Sequence, residues 1–151
     1  MASRNTERAR SALDAGQLTQ AAAIARAVYE AADDPDVRRR SVEIMAWSAV
    51  VDGDFESARV AIDRSPAEVD ALLQATVLEG ERQTDDALTI IDQARSNGDE
   101  RLELAGLQVR LLLEAKRFEK AARATRDLVD SVPEDEARLV ATQALEGGAP
   151  Y

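Results

Sequence analysis

Of the side chains most used for acid, base or nucleophilic chemistry, this sequence contains neither histidine nor cysteine. That removes imidazole bases, thiolate nucleophiles, disulfides and almost every zinc or haem site. Carboxylates, Lys, Ser and Thr remain, with Tyr29 and Tyr151 as the only phenols. Nothing in their spacing pairs a nucleophile with a base: there is no phosphate loop, no Gly-x-Ser-x-Gly elbow and no kinase motif. Asp33, Asp34 and Asp36 lack the spacing and central Gly of a calcium loop and read as turn and capping chemistry. Arg38-Arg39-Arg40 reads as the solvated start of a helix. No catalytic residue, cofactor or metal is therefore expected, and the chain is expected not to be an enzyme.

Binding is the chemistry left. Nineteen basic residues against 29 acidic ones give a net charge of −10, which opposes phosphate backbones and anionic membranes and favours basic partners. No nucleic-acid partner is expected. No stretch approaches the ~20 apolar residues of a membrane span, and Met1 to Glu7 lack the apolar core of a signal peptide, so the default location is cytoplasmic. The single Trp, Trp47, belongs to the residue type most enriched among binding hot spots.

The elements that would position such residues are helical. Of the 151 residues, 45% are apolar, 32% charged and only 3% aromatic, so the core is built from Ala, Leu, Val and Ile. That suits closely spaced helices better than a sheet sandwich. The pattern predicts helices over 4–15, 19–32, 36–51, 54–64, 66–79, 84–95, 100–115 and 118–131, with a polar ninth over 134–146 as a terminal cap. Ser65-Pro66-Ala67-Glu68 reads as a capping box opening the fifth helix. In the third, Val42, Met45, Ala46 and Ala49 form one apolar row and Ile44, Trp47 and Val51 another; a helix apolar all round must be covered. No linker is seen, so residues 1–151 are expected to form one domain.

A short corner pattern recurs four times. Its clearest copy is Gly53-Asp54-Phe55-Glu56-Ser57-Ala58, followed by Lys116-Arg117-Phe118-Glu119-Lys120-Ala121; Gly16-Gln17-Leu18-Thr19-Gln20-Ala21 and Arg82-Gln83-Thr84-Asp85-Asp86-Ala87 are weaker. The alanines fall 37, 29 and 34 residues apart, close to the period of about 33 of a two-helix solenoid unit. Gly16 and Gly53 suit a left-handed C-cap; Asp54, Thr19 and Thr84 suit the next N-cap. Phe55 and Phe118 would fold back into their hairpins. Twelve residues before the Ala stands Ala9, Ala46 or Ala75, and only Val109, opposite Ala121, departs, so small residues are expected to face each other where two helices cross closely.

This pattern resembles the tetratricopeptide repeat, with its small residue in the first helix, aromatic at the corner and Ala early in the second helix. The resemblance covers roughly residues 2 to 133. It departs where the family prefers Trp early in the first helix, which here has Asn5, Val42, Ala71 and Ala105, and the closing Pro is matched well only by Pro133. It implies an all-α, right-handed superhelix of about four repeats (2–35, 36–65, 66–98 and 99–133) plus the cap. It also implies a non-enzymatic scaffold that binds a peptide or protein, basic or apolar, in a groove lined by the first helix of each repeat. By the corner alignment that groove takes Arg40, Glu43, Trp47 and Val51, then Leu72 and Thr76, then Gly106, Arg110 and Leu113. The family's Lys, Asn and Arg clamp for a C-terminal carboxylate is absent from these positions. Two rivals are an export-type chaperone for apolar segments and a self-associating subunit, a homodimer burying the Trp47 row between copies.

Overall fold

The computed structural model describes residues 2–131, all side chains from 4 to 130 included, and the chain divides between Glu81 and Arg82 into two compact units. Among the described residues every regular element is an α-helix. The expected cap over 134–146 and Pro133 lie outside them.

The first unit holds α1 (Ala2–Asp14), α2 (Leu18–Ala31), α3 (Pro35–Val51), α4 (Phe55–Asp63) and α5 (Ala71–Gly80). Its pivot is α3, which packs against α1, α2, α4 and α5. Pro35 occupies the first turn of α3, and the Asp34 carboxylate accepts the Asp36 N–H at 2.9 Å, so chain break and cap coincide as the sequence suggests. The two apolar rows of α3 are explained by this central place. Ile44 is buried with Ala9, Ala12, Ala21 and Ala25 of the α1–α2 hairpin, whereas Val42 and Ala46 are buried with Ala58, Ala61, Leu73 and Val77 of α4 and α5. The expected second row is thus divided: Ile44 is core, Trp47 is partly buried and Val51 is exposed.

The second unit contains α6 (Thr84–Ser96), α7 (Leu102–Glu114) and α8 (Phe118–Ser131), with α7 packed on both neighbours. Leucine density in α7 has the same cause: Leu104, Leu107, Leu111 and Leu112 are all buried. Asn97-Gly98 is the turn the sequence marks, with Gly98 at φ 95° and Asp99 N–H bonded to the Ala94 carbonyl at 3.0 Å.

All four corners share one backbone solution. Their first residue is left-handed: Gly16 at φ 77°, Gly53 at 78°, Arg82 at 61° and Lys116 at 59°. The N–H of the sixth residue, Ala21, Ala58, Ala87 or Ala121, donates to the carbonyl of the second. Gln17, Asp54 and Arg117 each donate five residues back, to Ala12, Ala49 and Leu112, which is the Schellman closure of a helix. The four alanines are buried, as are Ala9, Ala46, Ala75 and Val109 twelve positions upstream.

Three local expectations are corrected. Thr19 and Thr84 do not cap; Gln17 and Gln83 hold the N-cap positions without a side-chain bond, because the threonines already lie inside the first turn. Asp54 does cap, accepting from the Ser57 N–H at 3.0 Å and the Ser57 hydroxyl at 2.6 Å. The capping box at Ser65 is not formed. Ser65 instead bonds locally to the Ala67 backbone, Val69 enters the core from the irregular segment before the helix, and α5 begins only after Asp70, whose carboxylate accepts the Leu72 N–H. Neither Phe folds into its own hairpin: Phe118 is 62% exposed, and the Phe55 ring lies where a β-carbon on Gly80, at the end of α5, would have to stand.

Candidate functional site

The residues expected to line a groove fall on three helices. On α3, Arg40, Glu43, Trp47 and Val51 follow each other at three- and four-residue steps, one stripe of the helix. Their environments differ. Arg40 is exposed and bonds Asp36 through Nε at 3.0 Å and Nη2 at 2.5 Å. Glu43 is engaged by its own chain: it accepts from Arg39 at 2.6 Å and from the Asp70 N–H at 2.7 Å, linking α3 to the start of α5. Trp47 packs beside the core cluster of Val42, Ala46 and Leu73 while keeping part of its surface open. Val51 is 63% exposed. On α5, Leu72 and Thr76 are half-buried and stacked one turn apart, the Thr76 hydroxyl donating to the Leu72 carbonyl at 2.7 Å. On α7, in the second unit, Gly106, Arg110 and Leu113 are half-buried.

The basic run at the start of α3 is occupied within the chain. Arg38 donates from Nε to the Ala32 carbonyl at 2.6 Å and its guanidinium lies 5.2 Å from the centre of the Tyr29 ring, a cation–π distance. Arg39 bridges Asp36 and Glu43. Hydrogen bonds from Arg39 and then Arg40 hold the Asp36 carboxyl below the usual carboxylate range. Asp36 in turn raises the Arg39 pKa, with a smaller contribution from Glu43. A guanidinium paired in this way has little left for an external anion. Among the described residues no group of carboxylates is arranged to hold a metal ion, and no helix is long and apolar enough to cross a membrane.

A feature that sequence reasoning missed lies on the other side of α3. There α2 and α4 flank a cleft of about 850 Å³ whose floor includes Met45, Ser48, Ala49 and Ala61. At 3.6 residues per turn, Met45 and Ala49 point away from Trp47 and Val51. The floor is apolar because Ser48, 4% exposed, turns its hydroxyl back to the Ile44 carbonyl at 2.8 Å. Ala22 and Ala23 on α2 keep one wall low. These small residues were the available signal: the alignment treats alanines as crossing points, and an Ala that faces a gap looks identical in sequence to one that faces a helix.

No family model, curated protein or solved structure matches this chain.

Proposed function

We propose that this chain is a tetratricopeptide-like protein, a right-handed superhelical array of helix hairpins that binds a protein or peptide and catalyses no reaction. The observation that carries this reading is the fourfold corner: a left-handed first residue and a buried Ala at the sixth position, whose N–H returns to the carbonyl of the second. Four copies of one backbone solution at a spacing near 33 residues are what a stack of like hairpins requires. Arrays of this kind offer extended surfaces rather than enclosed reaction chambers. The Trp47 face supports a binding role, since an indole both packed and partly open can anchor an incoming apolar side chain.

Capture from an array of short peptides, measured beside thermal unfolding for wild type and Trp47→Ala, tests the proposal. The variant should lose capture while its stability falls by less than the ~3 to 5 kcal/mol typical of truncating an enclosed Trp. Capture that persists in a folded Trp47→Ala protein, or a stability loss of the full core size, would reject Trp47 as the anchor.

A further inference from the structure

We propose that the cleft between α2 and α4 docks one amphipathic helix of a partner protein, running antiparallel to both, with acidic residues in its first turn and basic residues in its last. This surface is separate from the Trp47 face and does not depend on it.

The charges around the cleft are sorted by end. Asp52, Asp54 and Glu56 line it where α4 begins; Arg64 lines it where α4 finishes, and Arg26 lines it in the second half of α2, one turn before Tyr29. The finishing ends are tied together by the Tyr29 hydroxyl, which donates to the Arg64 carbonyl at 3.1 Å, so the two arginines share one end. Asp54 is engaged as the cap of α4. Asp52, Glu56, Arg26 and Arg64 are exposed, and among the described residues none has a side-chain hydrogen bond or ion pair. Between these two ends the floor is apolar, as described above, with Val60 standing 48% exposed on the α4 wall.

The second unit supplies a contrast. In its own cleft of α6, α7 and α8, Gln108 stands at the position equivalent to Met45. It accepts from Arg95 at 2.7 Å and donates to Asp92 at 2.8 Å, while Arg117 pairs with Asp85 at 2.6 Å. There the chain crosses the floor with its own polar groups, and a cleft of about 610 Å³ remains above them. Between α2 and α4 it leaves an apolar floor with four unengaged charges.

The dimensions and polarity specify the occupant. The nine residues of α4 span about 13 Å, so the cleft accommodates roughly two to three turns of a third helix. Such a helix would bring its first and last turns against the two charged ends. An antiparallel orientation sets its last, basic turn against Asp52 and Glu56 and its acidic first turn against Arg26 and Arg64. Acid at a helix start and base at its end are also the placements its own dipole favours.

Titration calorimetry with two Ala/Leu peptides of about 15 residues, long enough to be helical, tests the assignment, one with Glu opening and Lys closing the central three turns that the cleft holds, the other with these charges exchanged. The first should bind at least about tenfold tighter, the difference made by several exposed charge pairs acting together. Reversal of the cleft by Arg26→Glu, Arg64→Glu, Asp52→Lys and Glu56→Lys should invert the preference, a gain that misfolding cannot imitate. Should that variant fail to fold, Arg26→Glu with Arg64→Glu should abolish the preference and Arg26→Lys with Arg64→Lys should keep it. Trp47→Ala should leave it unchanged, which separates this site from the anchor proposed above. Absence of binding by either peptide, a preference indifferent to these charges, or a protein that doubles its mass in solution through the same four residues, placing a second copy in the cleft, would overturn the proposal.

Discussion

Gly53 and Lys116 occupy the same place in two corners and meet the same backbone demand with opposite suitability. Both are left-handed, at φ 78° and 59°, a conformation that costs an ordinary L-residue about 1–2 kcal/mol and Gly almost nothing. A β-carbon on Gly53 would meet nothing within 4 Å, so the penalty there is conformational rather than steric. Lys116→Gly is therefore expected to stabilise the protein by up to ~1 kcal/mol, the strain relief exceeding the extra freedom Gly gains when unfolded. Gly53→Ala should destabilise it by a similar amount. Denaturant midpoints for the pair check this, and a Lys116→Gly midpoint below wild type would show that the lysine side chain contributes more at that corner than its strain costs. At this scale the glycine corners were legible because Gly carries its meaning in its type. Arg82 and Lys116 were aligned with them only through the surrounding pattern, since nothing in Arg or Lys announces a positive φ.

Helices were the most legible level, and their ends the least. The periodicity located α1 to α8 to within a few residues except at the start of α5, where a capping box of good local chemistry lost to tertiary demands. Burial of Val69 and the bond from the Asp70 N–H to Glu43 fix the chain there, and both partners lie on elements distant in sequence. The end of α5 follows the same logic. Gly80-Glu81 reads as a turn, yet Gly80 closes the helix under the Phe55 ring, and Glu81 accepts from Arg59 of α4 at 2.7 Å. Gly80→Ala should overpack this contact and cost about 1–3 kcal/mol. Combined with Phe55→Ala, which vacates the space, much of that cost should disappear, giving a coupling that a double-mutant cycle measures. Strictly additive losses would mean that the ring yields freely. The candidate groove residues show the same limit of legibility: their shared stripe on α3 was readable from spacing, but the engagement of Glu43 by Asp70 was not, because that contact spans 27 residues.

For the molecule as a whole, acid is the informative stress. Hydrogen bonds from Arg39 and Arg40 to Asp36, from Ser57 to Asp54, and from Arg101 to Asp99 hold all three carboxyls below their ordinary range. A carboxyl depressed in the folded state contributes stability that is complete above its unfolded value, about 3.9, and vanishes as pH falls through the lower folded value. The thermal midpoint should therefore hold near neutrality and decline below about pH 4, with Asp36→Asn and Asp54→Asn variants declining less steeply from a lower start. A midpoint that climbs steadily to pH 3 would mean that relief of the net charge of −10 outweighs the capping and pairing carboxylates. The placement of the single Trp has a consequence of another kind. Trp47 lies in the unit that ends at Glu81, and Arg82 to Tyr151 contain no indole at all. Its emission is thus a private optical signal of the first unit, whereas far-ultraviolet circular dichroism sums the helices of both. One denaturant titration followed by the two signals reports cooperativity directly: coincident curves mean that the units melt as one, and separated curves mean that each carries its own unfolding free energy.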